Sequence, residues 1–255
     1  MKLRITSIPN LIVFLKRLKS VEKGVILEFS EDRIFSKVHT PDKATMKFAS
    51  LDLSDVFETE FDWSSIKKDR IKVGFHDIGR LIEAFKHFRP EEEVNVDMDI
   101  SEVDGSMTAT EFRLVSPSLV IRLRCSDLNM LSYVEDNILE LVLSKEDPLA
   151  NFKIYQSDFA TISSLCGMEN DSQEILVFDV TDKTAYAIGN SFNYKINIGG
   201  SEIILNDGDK IVSNIYKNQL GFMETESCDV YVHENRLVMF SDQSNTSIAI
   251  GLVEK

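Results

Sequence analysis

Two hydrophobic periods alternate along the chain. Leu11, Phe14, Leu15 and Leu18 recur at i, i+3, i+4 and i+7, and so do Ile78, Leu81, Ile82 and Phe85. That spacing gives a helix with one apolar stripe. Elsewhere the period is two, with β-branched and aromatic residues, as in FNYKINI and SLVIRLR, which is the mark of half-buried strands. Turn residues such as SED and HEN separate the strands. Together the periods predict four similar segments, each a short strand, an amphipathic helix, then two or three strands. The first is KLRIT, a helix over 10–20, then GVILEFSED, RIFSKVHT and ATMKFASLDL. The second is RIKVGF, a helix over 76–88, then EVNVDMDIS, ATEFRLVS and SLVIRLRCSD. The third is NFKIYQ, a helix over 158–166 with Ser157 as its N-cap and Phe159, Ile162 and Leu165 as its stripe, then EILVFDVT, KTAYAIG and FNYKINIG. The fourth is DKIVSNI, a short helix near 216–223, then CDVYVHE, RLVMFSD and SIAIGLVE. Pro90 ends the second helix.

Two such segments make one domain, so the pattern predicts an α+β chain of two similar domains with helices on one face of antiparallel sheets. The first domain spans 1–130, a connector 131–150 and the second domain 151–255. The connector, LSYVEDNILELVLSKEDPLA, is unusually apolar at Ile138, Leu139, Leu141, Val142 and Leu143. It reads equally as an extra edge strand or as a connector over a partner-binding groove. A length of 255 residues suits two domains of ordinary size. No apolar run reaches the roughly 20 residues of a membrane helix, and the start, MKLRITSIPN, has no secretory core. Three widely spaced cysteines, Cys125, Cys166 and Cys228, read as free thiols of a reducing compartment.

Charge changes the picture. Lys and Arg number 28 against 42 Asp and Glu, a formal net charge of -14, so indiscriminate binding to nucleic acid or anionic membrane is not expected. Yet Lys16, Arg17 and Lys19 crowd onto the first helix. At 100° per residue Lys16 lies nearly opposite the apolar stripe, with Arg17 and Lys19 on its flanks. On the second helix Arg80 and His87 lie opposite the stripe and Lys86 beside it, while Glu83 weakens the pattern. The fourth helix offers Lys217 and the third, DFATISSLCG, no base. A solvated helix face with bases near its C-terminus is the local explanation. Against it stands the placement of the acids, which lie mainly in strands, loops and the connector.

Catalytic and metal-binding patterns are missing from the sequence. His39, His76, His87 and His233 have no metal-ligand spacing, and there is no GxxxxGK[ST] or GxGxxG. Glu91, Glu92 and Glu93 read as a solvated turn, and Trp63 as loop packing. No cofactor is expected.

The fourfold order resembles that of DNA polymerase sliding clamps of the two-domain type, seen in proliferating cell nuclear antigen and in T-even phage clamps. The resemblance spans the chain. It is strongest in IKVGFHDIGRLIEAFKHF before EEVNVDMD, in the stretch from FKIYQSDFATISSLCG to FNYKINIG, and in the C-terminal part from SNIYKNQLGF to SIAIGLVEK. No short motif is diagnostic. The resemblance implies a DNA-clamp fold and a homotrimeric ring that acts as a processivity factor. It also implies double-stranded DNA held without regard to sequence, a DNA polymerase and a clamp loader as partners, no membrane, and a location at replicating DNA. Lys16, Arg17, Lys19, Arg80, Lys86 and Lys217 would line the channel. Leu119, Ile121 and Leu123 of one copy would meet Phe192, Tyr194 and Ile196 of the next. Partners would dock near Val38, Ile138, Leu141, Ile250 and Leu252. A clamp does no bond chemistry. Two other readings stay open, a monomeric or hetero-oligomeric clamp-like accessory factor and an acidic α+β enzyme.

Overall fold

The computed structural model describes residues 1–66, 70–89, 91–167, 175–181, 184–189, 195–198, 203–205, 210–216, 219, 227–241 and 245–253. The chain forms two compact units. The first comprises 1–39 with 48–134, and the second 40–47 with 135–255.

In the first unit, helix α1 (Ile8–Lys19) begins two residues before the expected start. Ser7 caps it, its side chain accepting from the Asn10 N–H at 3.4 Å, and Pro9 lies in the first turn, where its missing N–H costs nothing. Helix α2 (Ile78–Phe85) is capped by Asp77, whose carboxylate accepts from the Gly79 N–H at 2.9 Å. Both predicted stripes are buried: Leu11, Phe14, Leu15 and Leu18 in α1, Ile78, Leu81, Ile82 and Phe85 in α2. They share one core with Leu27, Phe29 and Val73 of the sheet, so the two helices cover one face of it.

The strands of this unit run in the spatial order 48–52, the part of strand Thr45–Asp52 that belongs to it, then Arg33–His39, Val25–Phe29, Ile71–Phe75, Ser106–Val115, Asn95–Val103, Lys2–Ile5 and Phe57–Glu58, with Val120–Arg124 added to Ser106–Val115. The registered pairings are antiparallel except Ile71–Phe75 with Ser106–Val115, which is parallel. Gly74 is required by a close approach. A β-carbon there would stand 2.7 Å from the Ser126 carbonyl oxygen, because the Ser126 N–H donates to the Gly74 oxygen at 2.8 Å.

In the second unit, Ile204–Leu205, Ala150–Tyr155, Ser227–Val232, Arg236–Ser241 and Thr246–Gly251 lie in that order in one sheet. Lys195–Ile198, Thr184–Gly189, Ile175–Thr181 and Lys210–Tyr216 form a four-stranded sheet. Phe152 and Phe178, one from each sheet, meet with ring centroids 6.1 Å apart in a shared core. Segment 40–47 folds with this unit, where the Gly251 N–H donates to the Ala44 oxygen at 2.7 Å.

Two local expectations are corrected. The connector holds no strand between 131 and 149; instead it forms helix α3 (Asp136–Val142), so its apolar residues follow a helical rather than an alternating period. Helix α4 (Gln156–Gly167) starts directly after its strand, so Ser157 sits in the first turn and is not the cap. The Asp158 carboxylate instead accepts from the Tyr155 N–H at 3.1 Å. The strands Phe57–Glu58 and Ile204–Leu205 are too short for any periodicity to announce. Pro90 and most of the expected fourth helix lie outside the described residues, as do the side chains of Leu165 and Cys166.

Candidate functional site

The bases of α1 all fall in its last turn, where the helix macrodipole favours cations. Ser20 closes the turn, its N–H donating to the Lys16 oxygen at 3.1 Å and its hydroxyl to the Arg17 oxygen at 2.6 Å. Lys16 and Lys19 are exposed and Arg17 is half-buried. Lys19 reaches across to α2, its Nζ 3.0 Å from where a β-carbon of residue 79 would stand. Glycine at 79 therefore lets α1 deliver a charge onto the first turn of α2.

Lys19 and Arg80 thus share an open groove of about 470 Å³ with Asp77, Glu83, His87, Ile121 and Leu123. Candidate channel bases and candidate contact residues meet in it, which separate sequence segments did not foretell. Lys86 is different. It is exposed but pairs with Glu83 at 2.7 Å. Its hydrogen bond holds the Glu83 carboxyl below the usual range against the opposing effect of desolvation, and Lys19 and His87 add to the shift. Lys16, Lys19 and Arg80 have no carboxylate within 4.0 Å among the described residues. Lys217 lies outside those residues.

The two strands expected at a subunit contact are both sheet edges among the described residues. Val120–Arg124 pairs only with Ser106–Val115, and Lys195–Ile198 only with Thr184–Gly189. Leu119, Ile121 and Leu123 are half-buried, while Val120, Arg122 and Arg124 are exposed. On the other edge Ile196 is half-buried and Ile198 buried, and Lys195 Nζ stands 3.5 Å from the Tyr186 ring centroid. Phe192 and Tyr194 lie outside the described residues. The exposed Arg122 and Arg124 were not singled out from the sequence. The alternation in SLVIRLR, with its apolar and basic faces, was the signal that could have found them.

The residues expected in a docking groove separate into two classes. Ile138 and Leu141 are exposed on α3, at 46% and 70%. Leu252 is half-buried. Val38 and Ile250 are corrected: each is 0% exposed and belongs to the core of its own unit, because strand alternation turns both inward. No partner side chain reaches them in this state. Helix α3 is tied down at its C-terminus, where the Arg236 guanidinium donates to the Val142 and Leu141 oxygens at 3.0 and 3.4 Å. Lys145 beyond it lies over the Phe240 ring, 4.1 Å from the centroid.

Among the described residues there is no cluster of three or more His, Cys, Asp or Glu side chains that could hold a metal. Cys125 and Cys228 are free thiols. Burial pushes the Cys125 thiol up to about 12 and raises Cys228 as well, so neither is an activated nucleophile.

No family model matches the sequence, and no curated protein does. The fold is nonetheless that of known clamps. Proliferating cellular nuclear antigen from Entamoeba histolytica superposes with a TM-score of 0.70 at 10% identity, covering 99% of this chain and 98% of that one. A chain of the PCNA2-PCNA3 complex of Sulfolobus tokodaii gives 0.67 at 13% identity, with 99% of each chain covered. PCNA from Thermococcus kodakaraensis gives 0.68 at 10% identity, with 99% of each covered. The chain has the α+β sliding-clamp fold.

Proposed function

We propose that this protein is a DNA polymerase processivity factor, a sliding clamp whose copies close head to tail into a homotrimeric ring around duplex DNA. The observation that carries the reading is the pair of edge strands. Among the edge strands are Val120–Arg124 in the first unit and Lys195–Ile198 in the second, each hydrogen-bonded on one side only among the described residues. An open edge of this kind invites another strand, and joining two different edges is a heterologous contact that repeats until the rotation closes. Ile121, Leu123 and Ile196, half-buried at these edges, supply apolar area for the joint.

On this reading the exposed Lys16, Lys19 and Arg80, with Arg17, Lys86 and Lys217, meet phosphates and read no bases. Attraction of this kind is independent of sequence and weakens with salt, which suits a ring that must slide. The acids elsewhere, in a chain of net charge -14, keep duplex from adhering outside the channel. The protein performs no bond chemistry; the link to DNA is topological. The exposed Ile138 and Leu141 of α3 are the docking points offered to a polymerase or clamp loader, and the site of action is replicating DNA. Among the described residues no helix is long and apolar enough to cross a membrane.

Light scattering across a dilution series tests the ring. A mass near three times 29.0 kDa, together with stimulation of a polymerase on long templates, is the expected result. A mass of one subunit at every concentration sinks the homotrimer. A second reading, a clamp subunit that pairs with a different chain, is favoured by the Sulfolobus tokodaii neighbour, a complex of two distinct clamp chains. It predicts a lone subunit here that assembles only with its partner.

A further inference from the structure

The face of the first unit's sheet opposite α1 and α2 carries a cluster that neither DNA passage nor the edge contacts use. Leu27 and Phe29 face the helices, so Glu28 between them points the other way. Glu28 lies in register with Phe35 on one neighbouring strand and with Lys72 on the other, which sets the three in one row on that face. Around them stand Arg33, Lys37 and Arg70. The Arg33 and Arg70 guanidinium carbons are each 5.1 Å from the Phe35 ring centroid and Lys37 Nζ is 5.8 Å from it. Lys37 and Lys72 Nζ lie 4.7 and 4.1 Å from the Tyr133 ring centroid, and Lys37 donates to the Tyr133 hydroxyl at 3.2 Å.

Two of these cations, Arg33 and Lys72, stand apart from the buried ion pairs. Glu28 divides its two oxygens between Lys37 at 3.1 Å and Arg70 at 3.3 Å. Asp32 lies beside Arg33, but its carboxyl is lowered first by the Ser30 hydroxyl and only lesser effects come from Arg33. Arg33 and Lys72 have no carboxylate within 4.0 Å among the described residues. Arg33 is exposed, Arg70 keeps 34% of its side chain exposed and Lys72 is half-buried. Arg33 and Lys72 can thus reach an incoming anion.

We propose that this patch binds a short acidic peptide segment of a protein partner, with carboxylates received by Arg33 and Lys72. Guanidinium forks match carboxylates in pairs. Cations already sit against the Phe35 and Tyr133 rings, so these rings are poor stacking platforms for bases. A long polyanion is also repelled by the rest of the molecule, whereas a short segment brings only a few charges. The site belongs to the first unit and holds whether or not copies close into a ring.

The test is fluorescence anisotropy with the full chain and three probes: a labelled peptide of alternating Glu and Gly, the same peptide with Gln for Glu, and an oligothymidylate of matched charge. The Glu peptide should bind, weaken with salt, and lose about tenfold in affinity in the double variant R33Q/K72Q. The charge-matched variant K23Q/R89Q, at exposed positions of the same unit, should bind like wild type. Equal binding of the Gln peptide, or unchanged binding by R33Q/K72Q, overturns the proposal. Tighter binding of the oligothymidylate, lost in the same double variant, replaces the peptide with nucleic acid. Should R33Q/K72Q fold poorly, Arg33→Glu alone, at an exposed position, must still abolish Glu-peptide binding for the proposal to stand.

Discussion

Glu28→Gln should destabilise the first unit severely, and the size follows from the geometry. Glu28 and Lys37 keep 1% and 0% of their side chains exposed and stand 3.1 Å apart. At an effective dielectric constant of about 20, that separation corresponds to a Coulomb attraction of about 5 kcal/mol. The amide carries no charge. It leaves Lys37 buried, with Arg70 and Lys72 nearby as like charges. Breaking a buried pair from one side typically costs about 3–5 kcal/mol, a large fraction of the roughly 5–15 kcal/mol that holds a domain together. In a unit of this size each kcal/mol moves the midpoint by about 4 °C, so the melting transition should fall by about 12–20 °C. Thermal and urea unfolding followed by circular dichroism measure it. Lys37→Met in the same background should restore at least half of the loss, because it removes a buried ammonium that has lost the Glu28 counter-charge. A Glu28→Gln loss under about 1 kcal/mol, or strictly additive losses in the double variant, would refute the claim that this pair is a buried, coupled unit.

Four further outcomes are expected. Ile121→Asp with Leu123→Asp places charge on the half-buried side of the Val120–Arg124 edge and should convert any trimer to single subunits by light scattering; a persisting trimer removes that edge from the contact. Replacing Lys16, Lys19 and Arg80 together by Gln should shorten the products of clamp-dependent synthesis and lower the salt sensitivity of DNA retention, without changing the unfolding free energy by more than about 1 kcal/mol. Gly74→Ala forces a β-carbon against the Ser126 carbonyl and should cost about 1–3 kcal/mol, read by urea unfolding. His233, 7% exposed, has a pKa below its ordinary 6.5, through burial first and Arg236 second. The unfolded chain therefore takes up this proton first as pH falls. Stability from this group is intact above pH 6.5 and declines below it, and His233→Asn should flatten that acid limb of the stability curve.

Much of the site was legible residue by residue, and little of its assembly was. The stripes of α1 and α2 could be read because a helical period is a local property, and the exposed faces carrying Lys16, Lys19 and Arg80 follow from the same geometry. The pairing of Lys86 with Glu83 was also within reach, since i and i+3 lie side by side on a helix. The meeting of Lys19 with Arg80 was not, because it depends on α1 passing close over Gly79. Val38 and Ile250 were misplaced for a related reason. An apolar residue in a strand is equally fit for a core or a groove, and only the distant segment that covers it decides.

The sequence by itself determined which segments are helix and which are strand in the first unit, the duplicated strand-helix order, the concentration of bases on α1, and the excess of acid elsewhere. Those are consequences of covalent order and of short-range periods of 3.6 and 2. Tertiary structure alone decided that Glu28, Lys37, Arg70, Lys72 and Tyr133 gather on one face, that Ile138 and Leu141 stay exposed on a helix while Val38 and Ile250 are buried, and that two strands far apart in the chain are left as edges. Each of these depends on contacts between residues tens of positions apart. Strand alternation offers two faces, and only packing chooses which one meets solvent.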